Sequence, residues 1–293
     1  MPPPVYPTYT VDGVPLDARG WYLTPETRRR AIPGVRAVSV QVPGVPGELP
    51  ITGLDLDTTT LTLGLRVTAA RPDGSDGDLV DLETNVEALT GLFGVRHRML
   101  DVRHYPAPGM VRQADATMLA ASEPVYNTAL RFARLTVVLT VPGVVWRDVA
   151  AATWSGALPG TGQAVTTLAG STAPVTDALV RFTGPAVSPT IVDVATGGSV
   201  SRPGGLLAGQ RLLIDCKAMR AAVVTTDTWD LDAGSDVTGE ISASGPGSGS
   251  RWLHLTPQIA GGDPYSRAVM VTTTATSTTS ASRVEIRARR AYL

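Results

Sequence analysis

The chain is expected to be mainly β and to divide into two domains, and three observations carry this. Apolar residues alternate with polar ones over many short runs, the mark of half-buried strands. Only the segment from Leu79 to Phe93 places its apolar residues at steps of three and four. After Trp146 the composition shifts to Ala, Thr, Gly and Ser, which puts a boundary near Asp148 to Gly162. The expected architecture is an N-terminal antiparallel β domain with one helix, residues 1–148, and a C-terminal β-sandwich, residues 149–293.

The opening MPPPVYP is a stiff, donor-poor arm that suits a surface, such as a neighbour's, better than a central strand. Val38, Val40 and Val42 then share one strand face, and Leu61, Leu63, Leu65 and Val67 share another. RPDGSDGD, residues 71–78, is a turn or loop by its Pro, Gly and Asp content. Leu79, Leu82, Val86, Leu89 and Phe93 draw the apolar stripe of a helix, with Asp78 placed to cap it and Gly91 or Gly94 placed to end it. Strands are expected at Met99–Arg103, Met110–Ala121 and Leu130–Val141, the last ending at Pro142 and Gly143.

In the second half, strands are expected at Leu179–Thr183, Pro189–Asp193, Gly198–Val200, Arg211–Asp215, Ala221–Thr225, Trp252–Leu255, Ala268–Thr274 and Ser282–Ala288. Short strands at this spacing point to a sandwich or barrel. GEISASGPGSGS, residues 239–250, is expected to be a flexible loop.

Composition narrows the function. With 293 residues, 43% of them hydrophobic and 17% charged, the chain can bury a substantial core. A formal net charge of -1 supplies no field to attract nucleic acid or an anionic membrane, and Arg28, Arg29 and Arg30 are too few to change that. The longest apolar segment, Leu135 to Trp146, is too short to span a bilayer, and MPPPVYPTYTVDG lacks the pattern of a signal peptide. The expectation is a soluble protein made in the cytoplasm, with neither nucleic acid nor membrane as partner.

No residue is assigned to catalysis, to a cofactor or to a metal. Cys216 stands alone, so no internal disulfide forms, and at the end of LLIDC it suits a small core residue. Asp73, Asp76 and Asp78 lack the spacing of a calcium loop. His97, His104 and His254 have no nucleophile in an elbow motif nearby. Glycoside hydrolysis needs two carboxylates about 5 to 10 Å apart across a cleft. Asp227, Asp230, Asp232, Asp236 and Glu240 sit instead in loop-like sequence. LPGTGQAVT and RPGGLLAGQ lack the lysine of a phosphate loop. Trp229 and Trp252 either supply core area or offer rings for stacking on sugars, and they are the candidate glycan-binding residues.

One family shares these patterns. VRFTGP, SPTIVD and LLAGQRLLID, within residues 180–215, resemble the C-terminal sandwich of the distal tail (Dit-like) and related minor tail proteins of long-tailed bacteriophages, and the ending VEIRARRAYL resembles how such chains close. IPGVRAVSVQVPGVPGELPITGLDLDTTTLTLGLRV resembles their early strands, and VPGVVWRD the close of their ring-forming domain. VPGVPGEL departs from the more charged turn expected there.

The resemblance implies a virion structural protein without enzymatic activity. Six copies would form a ring at the tail tip, with the first domains building it and galectin-like or carbohydrate-module-like second domains projecting outward. The ring would join the tail tube protein to the hub and receptor-binding parts, with the tape measure protein a further candidate partner. The alternative is a carbohydrate-binding module that attaches to host cell-wall glycans.

Overall fold

The computed structural model describes residues 8–18, 20–28, 33–36, 55–71 and 73–293. The expected strand through Val38, Val40 and Val42, the arm at residues 1–7 and the residues Arg29 and Arg30 lie outside them. The chain forms two compact units, Met1–Val149 with Leu293, and Ala150–Tyr292.

In the first unit the strands are β1 (Tyr9–Val11), β2 (Val14–Pro15), β3 (Trp21–Leu23), β4 (Val35–Arg36), β5 (Asp55–Leu56), β6 (Thr59–Thr68), β7 (Leu100–Ala107), β8 (Met110–Ala121), β9 (Val125–Asn127), β10 (Phe132–Val141) and β11 (Trp146–Arg147). Seven run in the order β2-β1-β7-β8-β10-β6-β3, with β9 paired to β10 and β11 to β8, while among the described residues β4 and β5 pair only with each other. All these pairings are antiparallel. Asp12 and Gly13 close the β1–β2 hairpin with φ of +50° and +79°, the two positive angles that a tight primed turn requires.

The register of β6 on β10 sets Val67 beside Ala133, Leu65 beside Leu135, Leu63 beside Val137 and Leu61 beside Leu139, and all eight are buried. Because strand side chains alternate, Arg66 and Arg134 stand opposite each other on the other face. Helix α1 spans Leu79–Phe93, as its spacing predicts, and lies against β6 and β10 through Leu82, Val86, Leu89 and Phe93. Asp78 accepts from the Val80 and Asp81 amides while Asp81 accepts from the Asp78 amide, a complete capping box, and Gly94 ends the helix. Trp21 ties α1 to the sheet by donating its Nε1–H to the Asn85 carbonyl at 3.1 Å, and Asn85 donates to the Thr68 and Ala70 carbonyls.

The second unit holds β12 (Ala152–Ala157), β13 (Gly160–Ala164), β14 (Leu179–Thr183), β15 (Ala186–Asp193), β16 (Ser199–Ser201), β17 (Gly205–Leu206), β18 (Arg211–Asp215), β19 (Arg220–Val224), β20 (Ser235–Asp236), β21 (Ser242–Ser244), β22 (Gln258–Ala260), β23 (Asp263–Ala268), β24 (Met270–Thr276), β25 (Arg283–Ala288) and β26 (Ala291–Tyr292). Two antiparallel sheets result, β12-β25-β14-β18-β19-β20 and β13-β24-β15-β16-β21, with β17 on β15. Val180, Phe182, Leu212, Ile214, Val284 and Ile286 share the buried face of the first, and Ile191, Val200, Val271 and Thr273 are buried in the second. The β22–β23 hairpin pairs with neither sheet.

Several expectations are corrected here. Residues 152–164, read as a change of composition, form β12 and β13, which pair with β25 and β24. Beyond β13, Thr166–Leu168 is a short 3-10 turn that buries Leu168. The segment expected to be a flexible loop contains β21, paired to β16. Trp252–Leu255 is not a strand and makes only a single bridge, Leu255 to Val175.

Candidate functional site

On the outer face of the β14–β25 pair, the alternation that buries Val180 and Phe182 points Arg181 the other way. Its neighbour in register there is Glu285. Arg181 donates from Nε to Glu285 Oε2 at 2.8 Å, and from a terminal nitrogen to Asp227 Oδ1 at 2.6 Å and to the Thr228 carbonyl at 3.2 Å. Its guanidinium lies 4.3 Å from the centroid of the Trp229 ring. Arg181 is 5% exposed and Glu285 8%, so the segment carrying Asp227 and Trp229 is held over a charged pair removed from water.

The acidic residues of this region are parted among separate basic partners. Asp227 pairs with Arg181, Asp232 with Arg220 and Glu240 with Arg202. Asp230 accepts from the Asp232 amide, and the Asp236 carboxyl is held below the usual carboxylate range first by the Thr238 hydroxyl and then by the Thr238 amide that donates to it. Each carboxylate thus stabilises a turn or an ion pair. The Trp229 ring is half-buried and one of its faces meets Arg181. Trp252 is half-buried as well, and its amide donates to the Cys216 carbonyl.

His97 is exposed, and His104 is buried in β7, stacked on Tyr9 at 4.6 Å with Trp146 edge-on at 6.0 Å. The His254 ring packs against Gly247, where a Cβ would collide with it. Cys216 is fully buried, and burial pushes its thiol far above the ordinary range. Among the described residues no group of three His, Cys, Asp or Glu could hold a metal ion. Asp78 caps α1, and Asp73 accepts from Ser75. No helix of the described residues is long and apolar enough to cross a membrane.

A second charged surface lies on the first unit. Arg66 lies over the Phe132 ring at 4.4 Å and Arg134 at 5.4 Å, so two like charges share one aromatic ring. Neither makes an ion pair among the described residues, and Arg66 Nε meets no acceptor there. Arg134 lines a cleft of about 190 Å³ with Thr24, Glu26, Ser122 and Val125. Helix α1, against the other face of the same strands, carries Asp81, Glu83 and Glu87 and no basic residue. Asp81 pairs with Arg71, and Glu83 accepts from the Tyr126 hydroxyl at 2.7 Å.

No model of a known protein family matches the chain, and no curated protein does. Among solved structures it is similar to the crystal structure of Dit from phage SPP1, described as a paradigm of the hub adsorption apparatus of phages infecting Gram-positive bacteria. The TM-score is 0.63 at 15% identity, with 98% of this chain and 99% of the other covered. The phage p2 baseplate in its activated conformation aligns with TM-scores of 0.39 with strontium (7% identity, 96% and 97% covered) and 0.37 with calcium (6%, 94% and 92%), too low to carry weight. The chain therefore has a Dit-like fold, mainly β with one α-helix among the described residues.

Proposed function

We propose that this chain is a structural protein of a bacteriophage tail tip that assembles into a ring, with six copies the expected number. The observation that carries the reading is the correspondence with SPP1 Dit over nearly the whole of both chains. In this reading residues 1–148 build the ring, and residues 149–293 form a galectin-like sandwich directed outward. Its partners are the tail tube protein on one side and the hub, the receptor-binding parts and the tape measure protein on the other.

Physical features of the chain support a scaffold. The buried Arg181 and Glu285 are spent on one another, and the perturbed carboxyls of Asp78 and Asp236 serve a cap and a turn. A closed cyclic ring joins two different surfaces of each protomer and buries a large area. The test is the mass of the purified protein by light scattering, alone and with its tail tube protein. A discrete ring is the expected result, and a chain that stays monomeric in both conditions overturns the reading.

A second reading, contact with cell-wall glycans, is favoured by the partial exposure of Trp229 beside the exposed carboxylates of Asp227 and Asp230. Cell-wall pull-down that is lost in Trp229→Ala or Trp252→Ala would support it. Binding that persists in both variants places the sugar elsewhere or dismisses it.

A further inference from the structure

We infer that the Arg66–Phe132–Arg134 face of one protomer docks on the acidic helix α1 of a second copy of the same chain, and this rests on the ring reading above. Like charges directly opposite on neighbouring strands destabilise a sheet unless something neutralises them. Arg66 and Arg134 are such a pair, both against the Phe132 ring and with no ion pair among the described residues. Exposed Glu26 near Arg134 offsets one of these charges at most, and its carboxyl is held low first by the Thr24 hydroxyl.

The chain's own helix cannot supply the missing acid. Trp21 shares a face with Val67 and bonds to Asn85, so α1 covers the face of Val67 and Leu65, and its carboxylates are parted from Arg66 and Arg134 by the thickness of the sheet. Val80, Glu83, Thr84 and Glu87 form one exposed stripe along the helix, by their spacing of three, four and seven. Glu87 makes no ion pair among the described residues. Across the sheet, Val125 is 69% exposed and sits beside Arg134 in register. One side therefore offers an aliphatic residue beside two cations, and the other an aliphatic residue beside two anions.

Two different, complementary surfaces on each protomer are what head-to-tail closure requires. Such charges fix register and speed encounter more than they add affinity, so the remaining interface area comes from elsewhere.

The test uses two full-length variants, Arg66→Glu/Arg134→Glu and Glu83→Arg/Glu87→Arg, with light scattering as readout. Each alone is expected to shift assembly to at least tenfold higher concentration. Mixed in equal amounts, they are expected to assemble as the unmodified chain does, because every reversed face then meets a reversed helix. The single exposed changes Arg134→Glu and Glu87→Arg repeat the design should either double variant lose its circular dichroism spectrum. Unchanged assembly of the variants, or loss that mixing does not restore, overturns the docking while leaving the ring reading intact. Unimpaired self-assembly with loss only of tube-protein binding assigns the arginine face to that partner and overturns it too. A chain that never self-assembles overturns both.

Discussion

Arg181 and Glu285, 104 residues apart in sequence, meet at 2.8 Å on adjacent strands with almost no access to water. Removing one partner strands the other. Arg181→Met is expected to cost roughly 3–5 kcal/mol, because Arg283, 3.4 Å from Glu285 and half in solvent, compensates little. Arg181→Met/Glu285→Leu should recover most of that loss. Urea unfolding of the three proteins checks it, and a double variant as weak as the single one refutes it.

The hydrophobic strip between β6 and β10 predicts a different kind of loss. Leu139 is fully buried and faces Leu61. Leu139→Ala should cost about 2–5 kcal/mol through lost transfer energy and the cavity left behind. Thermal unfolding of the variant is the measurement.

Gly64 gives a steric prediction. It lies in the middle of β6 under the segment Thr24–Thr27, and a Cβ there would collide with the Thr24 hydroxyl and press on Glu26. Gly64 also exchanges hydrogen bonds with Thr27, its amide donating to the hydroxyl and its carbonyl accepting from it. Gly64→Val is expected to lose about 1–3 kcal/mol by forced displacement of that segment. A variant as stable as the parent would show that the segment yields freely.

Asp12 and Asp193 should respond to pH with opposite signs. The Arg98 guanidinium holds the Asp12 carboxyl below the usual range, so its contribution to stability is present near neutrality and lost as the pH falls through the carboxylate range. Burial pushes Asp193 the other way, against hydrogen bonds from Thr196 and Thr256. Its folded state holds the proton more tightly, so this contribution is present in acid and falls as the pH rises through the same range. Denaturation midpoints between about pH 3 and pH 6 should show the gap between parent and Asp12→Asn widening with pH. For Asp193→Asn the gap should narrow.

Much of this architecture is legible in the chain. The limits of α1 follow from its apolar spacing with Asp78 and Gly94 at its ends, and the ranges of β14 and β18 from alternation bounded by Gly and Pro. Among the strands that escape are edge strands of small residues: β12 buries only Trp154 among its six, and β21 is Ser-Ala-Ser, so neither carries an apolar period. The Asp12-Gly13 turn carries a recognisable hairpin dipeptide that goes unused in the sequence reading. The charged clusters are hidden for another reason. Arg181 and Glu285, like Arg66 and Arg134, are brought together only by strand register, which local sequence does not encode.

Cys216 gives the molecule a built-in clock. A single thiol that is fully buried, with its ionisation suppressed, reacts with a disulfide reagent only when the surrounding structure opens. With no second cysteine to divide the signal, the rate of that one reaction reports the opening of the second unit around a known atom. Compared between the free chain and an assembled particle, the same rate would measure how far assembly tightens a part of the protein remote in sequence from its first unit.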